Sequence, residues 1–315
     1  DIVKYLVENG AEVNAADKSS ETALRMAASS GNVDIVKYLA ENGAEVNAVN
    51  KLDRTALYMA AKAGHVDIVK YLVENGAEVN VVDTCGETAL GRAAWAGHVD
   101  IVKYLVENGA EVNAVDKLDR TALHMAAEAG HVDIVKYLVE NGAEVNAAGW
   151  LDRTALHIAA EAGHVDIVKY LVENGAEVNA AGWSGETALG MAASSGNVDI
   201  VKYLAENGAE VNAVNKLDRT ALYMAAKAGH VDIVKYLVEN GAEVNAADTW
   251  GKTALRMAAK AGHVDIVKCL AENGADVNAA NQWGETELLM AVFSGHVDIV
   301  KCLAENGAEV NAADW

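Results

Sequence analysis

One short motif, Asp-Ile-Val-Lys, recurs every 33 residues from Asp1 to Asp298. A repeat period of about 20 to 50 residues is typical of solenoid proteins, in which a unit cannot bury its apolar face alone and stacks on its neighbours. The period divides the chain into a partial unit at 1–17, nine consecutive 33-residue units at 18–314, and Trp315, which begins the next turn. We therefore expect one continuous array rather than separate domains.

The residues of one unit predict two helices joined by a turn. Thr55 is placed to cap a first helix at 56–63, which ends at Gly64, and a second helix runs over about 66–74. Residues 77–80 favour an extended segment, and the tip that follows has the Asp, Thr and Gly residues of turns. The predicted fold class is all-α, a solenoid of helix-turn-helix units with short β-hairpin-like turns.

The net charge of −21 comes from the repeated scaffold. Each block from Asp-Ile-Val-Lys to Glu-Asn-Gly-Ala-(Glu/Asp) has one lysine and three acids, so ten blocks account for −20. This acidity argues against nucleic acid as a partner, because nucleic acid requires a basic surface. No apolar run approaches the ~18 residues of a membrane span, so we expect no membrane insertion. Three cysteines without metal-ligand spacing favour a cytoplasmic compartment without fixing it.

The units resemble the ankyrin repeat family. The resemblance rests on Thr-Ala-Leu-His-Met-Ala-Ala at 121–127, on Gly130-His131, and on Leu-Val-Glu-Asn-Gly-Ala-Glu-Val-Asn at 138–146. The Thr-Pro-Leu-His of the family is Thr-Ala-Leu-x here, in a chain without proline, and the units are similar to designed ankyrin repeat scaffolds as well. The resemblance implies an ankyrin solenoid whose turn tips and first helices form one concave face for a protein or peptide partner.

Specificity is expected at the few positions that vary between units. Trp, Tyr and Arg are enriched at binding hot spots, and five of the six tryptophans occupy variable positions. From this pattern and the resemblance, we predict that the partner contacts the following variable residues: Tyr58, Trp95, His124, Trp150, His157, Trp183, Tyr223, Trp250, Arg92 and Arg256. The alternative for a tryptophan at a turn tip is packing on the neighbouring turn.

The invariant polar residues predict structure rather than chemistry. The histidines of the Gly-His pairs lie one repeat apart, too far to share a metal ion, and predict hydrogen bonds between turns. His124 and His157 each precede a glutamate by four residues, which gives two ligands where zinc needs three or four. The asparagines of the Val-Asn pairs resemble a hydroxylation site of some family members, although a turn hydrogen bond is the simpler interpretation. We expect no enzyme activity, no metal and no cofactor.

Two functions remain open at this point. The first is a non-enzymatic, monomeric scaffold for protein binding. The second is a structural spacer that joins end to end, because the chain opens on an uncovered second helix and closes within a turn, like a piece of a longer array. Residues 26–80 also recur unchanged as 191–245, at an offset of 165 residues or five units, which indicates recent duplication or gene assembly.

Overall fold

The computed structural model describes residues 2–310, and these residues form nineteen α-helices. The chain divides into two compact units, Asp1–Trp150 and Leu151–Trp315. We call them the first unit and the second unit and describe them separately, and from here on each 33-residue element is called a repeat. Trp315 and the predicted further turn lie outside the described residues. The all-α prediction is confirmed. The prediction of one continuous array over the whole chain stays a prediction.

Helices of two kinds alternate in the first unit, and we name them first and second helices after their order in the repeat. The first helices are α2 (Ala23–Ser29), α4 (Ala56–Ala63), α6 (Ala89–Ala96) and α8 (Ala122–Ala129). The second helices are α1 (Ile2–Glu8), α3 (Val33–Glu41), α5 (Val66–Glu74), α7 (Val99–Glu107) and α9 (Val132–Glu140). A 3-10 turn spans Trp150–Asp152.

The second unit repeats the alternation. Its first helices are α10 (Ala155–Ala162), α12 (Ala188–Ser195), α14 (Ala221–Ala228), α16 (Ala254–Ala261) and α18 (Glu287–Phe293). Its second helices are α11 (Val165–Glu173), α13 (Val198–Glu206), α15 (Val231–Glu239), α17 (Val264–Glu272) and α19 (Val297–Glu305). Within each unit, first helices pack on first helices and second helices on second helices.

The ends of the first helices are fixed by the predicted residues. The Thr55 hydroxyl accepts a hydrogen bond from the backbone N–H of Tyr58 at 3.1 Å, so it caps α4. Gly64 ends the helix with φ +84°, in the left-handed region that favours glycine. A Cβ on Gly64 would also lie 2.6 Å from Cε1 of His98, so the glycine makes room for the next repeat. Both roles explain why this position stays glycine throughout.

The core lies between the two layers of helices. Leu57, Ala60 and Ala61 of α4 are buried, as are Ile68 and Leu72 of α5. The alanines allow close approach of neighbouring first helices, and the larger residues fill the space toward the second helices. Burial of each large aliphatic side chain contributes about 1.5–3 kcal/mol. The predicted apolar stripe is therefore the core of each repeat.

Residues 79–80 of the segment predicted as extended at 77–80 form a turn, and 77–78 belong to no strand, so that prediction is wrong. In the equivalent segment of the preceding repeat, the backbone N–H of Ala48 donates to the carbonyl of Glu45 at 3.1 Å and closes the turn. The Asn47 amide then donates to the carbonyl of Gly76 at 3.1 Å, and its oxygen accepts from the N–H of Glu78 at 2.9 Å. These bonds between repeats replace those of a strand, and they confirm a turn hydrogen-bonding role for the Val-Asn asparagines.

The Gly-His histidines also connect repeats, as predicted. Nε2 of His65 lies 3.2 Å from the carbonyl oxygen of Ser29, and Nε2 of His98 lies 3.2 Å from that of Lys62. Each imidazole thus satisfies a carbonyl near the end of the preceding first helix, where the helix itself offers no partner. In the second unit, Asn197 performs the same task toward Ala160 through its amide, at 2.9 Å.

Candidate partner-binding surface

The turn tips form a hydrogen-bonded row within each unit. In one tip, the Asp83 carboxylate accepts from the backbone N–H groups of Cys85 at 2.8 Å and Glu87 at 3.0 Å. The N–H of Thr84 donates to the carbonyl of Leu52 in the preceding tip at 3.0 Å. Because backbone atoms hold one tip to the next, the tip side chains are free to differ between repeats.

Three of the predicted tryptophans are exposed. Trp95 of α6 is 47% exposed, Trp150 of the 3-10 turn is 57% exposed, and Trp183 of a tip in the second unit is 60% exposed. An indole with half of its surface in water is available to a partner, and such side chains recur as binding hot spots. These three side chains are thus accessible to a partner, and their role as contact residues stays a prediction.

Five other predicted contact residues are buried, and their burial corrects the prediction. They are Tyr58, His124, His157, Tyr223 and Arg256, each at most 3% exposed. All five occupy the same position of the first helix. The side chains of Tyr58, His157, Tyr223 and Arg256 bond to the following repeat, and the burial of all five removes them from the contact surface.

The histidines show how this position works. The backbone N–H of Thr154 donates to Nδ1 of His157 at 3.2 Å, and Nε2 of the same ring lies 3.0 Å from the carbonyl of Ala180 and 3.2 Å from that of Glu186. An Nδ1 that accepts leaves the proton on Nε2, which donates to the next repeat. Burial lowers the pKa of His157, so the ring stays neutral. His157 is therefore a structural connector between two repeats. His124 in the first unit has the same cap bond, since its Nδ1 accepts from the backbone N–H of Thr121 at 3.1 Å.

A connected cluster in the first unit contains three predicted residues. The Tyr58 hydroxyl donates to Oε2 of Glu87 at 2.9 Å, and Nη1 of Arg92 donates to the other carboxylate oxygen at 3.2 Å. The Arg92 guanidinium lies 5.1 Å from the ring centroid of Trp95. Burial, followed by the Glu87 carboxylate, raises the pKa of Tyr58. Glu87 therefore connects the buried tyrosine to Arg92, and Arg92 in turn lies against the exposed indole of Trp95.

The second unit carries a row of tryptophans and cations along its tips. Nζ of Lys216 lies 4.5 Å from the ring of Trp183, and Nζ of Lys252 lies 5.5 Å from that of Trp250. The Trp250 ring also has the Arg219 guanidinium at 5.6 Å, and it is only partly exposed. Packing on the neighbouring tip, the alternative raised from the sequence, thus describes Trp250 better than open exposure does.

Two features were missed in the prediction of contact residues. Trp283 is 56% exposed at a tip and lies 5.8 Å from Nζ of Lys252, yet it was left out although it occupies a variable position. Gly182 and Gly190 border a cavity of about 230 Å³ in the second unit. Their signal was an absence: apart from Gly149, other repeats place Asp or Asn at the first of these positions, and apart from Gly91 they place Tyr, His, Arg or Leu at the second. Glycine at a variable position deserves the same scrutiny as tryptophan.

Exposed indole rings and cationic groups characterise this surface. Among residues 2–310 there is no group of three His, Cys, Asp or Glu side chains that would hold a metal ion. In the same part of the chain, no helix is both long enough and apolar enough to cross a membrane. The surface presents exposed indole rings together with guanidinium and ammonium groups. Backbone hydrogen bonds between the tips of successive repeats hold these side chains in place.

Comparisons with known proteins agree with this architecture. A family model described as "Ankyrin repeats (3 copies)" matches residues 47–116, 113–182, 180–248 and 241–314, and one described as "Ankyrin repeats (many copies)" matches residues 1–40. The crystal structure of the human ASB11 ankyrin repeat domain is 31% identical, with a TM-score of 0.65. That match covers 70% of this chain and 98% of the ASB11 chain. A search of curated proteins finds no match.

Proposed function

The chain belongs to the ankyrin repeat family, whose members are generally protein–protein interaction modules, and from this premise we propose that it holds a protein or peptide partner against its turn tips and first helices. The observation that carries this proposal is the exposure of Trp95, Trp150 and Trp183, at 47%, 57% and 60%, at positions that vary in an otherwise constant repeat. Tryptophan is enriched among the residues that contribute most to binding at protein interfaces.

The revised contact set follows from exposure. It keeps Trp95, Trp150 and Trp183, adds Trp283, and keeps Arg92, whose guanidinium stacks on Trp95. Trp250 contributes only the edge left open by its cation neighbours. The proposal requires no catalysis, in accord with a fold that is typically non-enzymatic.

The test is capture of partners by the whole chain, followed by affinity measurement with variants. A variant with Trp95, Trp150 and Trp183 all changed to Ala should bind the recovered partner at least about tenfold more weakly, since each buried aromatic hot spot contributes about 2 kcal/mol or more. The control changes Glu74, Glu107 and Glu206 on exposed second-helix positions to Gln and should leave affinity unchanged. An affinity of the tryptophan variant within about twofold of the parent would rule out this surface.

End-to-end association is the second candidate, and one observation favours it. On α1, Ile2 is 77% exposed, Tyr5 is 66% exposed and Leu6 is 51% exposed, so this helix presents an apolar face that a second copy can cover. Sedimentation velocity over a wide concentration range tests this candidate. A monomer at every concentration would exclude it, whereas a shift toward dimers that disappears in a Leu6→Glu variant would support it.

A further inference from the structure

The cavity beside Gly190 lies where most other repeats have a large side chain. Gly190 lies in α12 at the first-helix position that Tyr58, His157 and Arg256 fill elsewhere. A Cβ built on Gly190 would meet only the Thr187 hydroxyl, at 3.7 Å, so the space beyond is open. We name this space of about 230 Å³ the Gly190 cavity.

Glycine alone does not produce such a cavity. Gly91 of α6 occupies the same position in the first unit, and there a Cβ would lie 3.1 Å from Sδ of Met125, which is buried. The residue equivalent to Met125 in the second unit is Met224, which is only partly buried and lines the Gly190 cavity instead of filling it. The two glycine repeats thus differ in whether the next repeat closes the gap.

The walls of the Gly190 cavity combine apolar side chains with polar ones from Arg153, Glu161, Ser184, Glu186 and Ser194. Trp183, Met191, Met224 and Leu151 supply an indole, two thioethers and an isobutyl group. Small-molecule sites are usually larger, at about 300–1,000 Å³. A cavity of about 230 Å³ is suited to one side chain, and methionine walls adapt readily to the shape of what enters.

The charged groups around the cavity differ in whether they already have partners. Glu161 pairs with Arg153, and the Glu186 carboxylate accepts from the Ser184 hydroxyl and, at 3.3 Å, from the Asn215 amide. These carboxylates are therefore occupied by groups of the chain itself.

The nearby ammonium groups have no such partner. Lys216 lies over the exposed ring of Trp183, at 4.5 Å. Lys227 is on α14, at the position equivalent to that of Ser194 on α12, and Ser194 lines the cavity. Neither lysine forms an ion pair within residues 2–310. Lys216 stacks on the lining residue Trp183, and Lys227 follows the lining residue Met224 by three positions on α14. Because screening at physiological salt limits a charge to about 8 Å, these two nearby charges matter more for a segment at the cavity than the net charge of −21 does.

We propose that the Gly190 cavity receives one large apolar side chain from an acidic peptide segment of the partner, with the flanking carboxylates at Lys216 and Lys227. This proposal rests on the proposed function and specifies its partner class. The apolar side chain displaces water from the indole and thioether walls, and the carboxylates give the two lysines the partners they lack. Trp183 then acts as the rim of a pocket rather than as an isolated contact.

The experiment uses synthetic peptides and the methyl groups of the seven methionines, observed by NMR in the whole chain. The probe is an acetylated, amidated peptide of sequence Glu-Asp-Leu-Asp-Glu, compared with Glu-Asp-Ala-Asp-Glu and Lys-Lys-Leu-Lys-Lys. The first peptide should shift the Met191 and Met224 methyl signals and leave that of Met125 unchanged. The alanine peptide should bind about tenfold more weakly, because the lost apolar area is worth about one power of ten in affinity.

Variants of the chain locate the effect. Gly190→Leu should abolish the shifts, since leucine fills the cavity from a position where α18 already carries Leu289. Gly190→Ala is the matched control with a small side chain and should retain them. Lys216→Gln should weaken binding of the acidic peptide and reduce its dependence on salt. Circular dichroism verifies that each variant is folded, and Met224→Ala, which widens the cavity, should favour a phenylalanine peptide over the leucine peptide.

Three outcomes would overturn the inference. They are the absence of shifts at Met191 and Met224 up to the solubility limit of the acidic leucine peptide, equal binding of the alanine peptide, and equal binding of the lysine peptide. A captured partner that is lost by the triple tryptophan variant but binds the Gly190→Leu variant normally would also overturn it, while the proposed function would stand. Loss of partner binding in Gly190→Leu alone, with Gly190→Ala unaffected, would support it.

Discussion

Two segments of the chain have the same 55 residues but different neighbours. We call residues 26–80 copy 1 and residues 191–245 copy 2. In the repeat that follows copy 1, the residue before the capping threonine is Glu87, whereas after copy 2 it is Lys252. Because the copies are identical, any difference in their contacts arises from the repeats beside them.

In copy 1, the tyrosine and the arginine bond to two different acids. The Tyr58 hydroxyl donates to Glu87 at 2.9 Å, and Nε of Arg54 donates to Asp83 at 3.1 Å. Each acid therefore has its own donor from the preceding repeat.

In copy 2, the same two side chains compete for one acid. With Lys252 in place of a glutamate, the Tyr223 hydroxyl donates to Asp248 at 3.1 Å, and Nε of Arg219 lies 3.8 Å from the same oxygen. The guanidinium then also lies 5.6 Å from the ring of Trp250. Burial, followed by the charge of Asp248, raises the pKa of Tyr223 to about 12. The residues of the next repeat thus decide which acids an identical sequence bonds to, and in copy 2 they also place the partly exposed ring of Trp250 beside Arg219.

The largest expected effect is the loss of the acid that copy 2 depends on. Asp248 accepts from the N–H groups of Trp250 at 3.0 Å and Lys252 at 2.9 Å, and from the Tyr223 hydroxyl. Asp248→Ala removes all three bonds and should lower the free energy of unfolding of this region by about 3–4 kcal/mol. Urea denaturation, with hydrogen exchange to localise the loss to α14 and α16, measures this effect.

The same change beside copy 1 should cost about as much, but through a different donor, and this difference tests the comparison. Asp83→Ala also removes three bonds, two from tip N–H groups and one from Nε of Arg54 at 3.1 Å, while the Tyr58 hydroxyl keeps Glu87 as its acceptor. We therefore expect Tyr58→Phe to cost about 1 kcal/mol with or without Asp83→Ala, whereas Tyr223→Phe should cost almost nothing once Asp248 is alanine. An equal response of the two tyrosines to the loss of the acid would mean that the neighbours do not distinguish the copies.

A second effect concerns the first residue of the first helices, which is alanine in both copies and glutamate in α18. The Glu287 side chain is buried, with Oε1 accepting from the Thr253 hydroxyl at 3.2 Å and no partner at Oε2. Burial raises the pKa of Glu287 to about 7. Because the pKa of Glu287 is higher in the folded than in the unfolded chain, the contribution of this residue to stability is most favourable below about pH 4. That contribution is lost as the pH rises through about 7.

Glu287→Ala should therefore stabilise the last repeats at pH 8 by about 2–3 kcal/mol, since one pKa unit is worth about 1.4 kcal/mol. At pH 4 the gain should largely disappear. Urea midpoints at both pH values measure it, and Glu287→Gln controls for side-chain volume. A gain of the same size at both pH values would show that the charge is not its cause.

The third effect compares the two tyrosine hydroxyls directly. Tyr223→Phe should cost about 2 kcal/mol, because it leaves a buried oxygen of Asp248 with only the distant Arg219. Tyr58→Phe should cost about 1 kcal/mol, because Glu87 keeps Arg92 at 3.2 Å. Thermal unfolding of both variants provides the measurement, and a larger loss for Tyr58→Phe would contradict the assignment of acceptors.

These contacts explain which parts of the molecule the sequence predicts. Helices, caps and the buried stripe depend on residues close in sequence, so the Thr55 cap, the Gly64 end and the Leu57 core position were all predictable. The failure came at Tyr58, His157 and their equivalents, where variation was taken as a sign of exposure. The residue at this position varies because it has to bond to a different neighbour in each following repeat. In a single sequence, such variation cannot be distinguished from variation that serves partner binding.

A signal for this fit is nevertheless present in the chain. The acceptors lie 29 residues after the donors in two pairs, Tyr58 with Glu87 and Arg256 with Glu285, and 25 residues after in Tyr223 with Asp248. A comparison of each tyrosine or arginine at this position with the acidic residues 25 to 29 positions later would have predicted that these side chains are buried. The Gly190 cavity was beyond such reading, because the partial burial of Met224 is a matter of side-chain conformation.

The smallest expected effect separates the two glycine repeats. Alanine is favoured over glycine inside a helix by about 1 kcal/mol, and a Cβ on Gly190 meets nothing closer than 3.7 Å. Gly190→Ala should therefore raise the free energy of unfolding by nearly the full amount. In Gly91→Ala, the new methyl group would lie 3.1 Å from Sδ of the buried Met125, which must move within packed surroundings, and the gain should be close to zero. Urea denaturation of the two variants compares them; an equal gain would mean that Met125 yields as easily as open space, and that the cavity distinguishes the two repeats less than their geometry indicates.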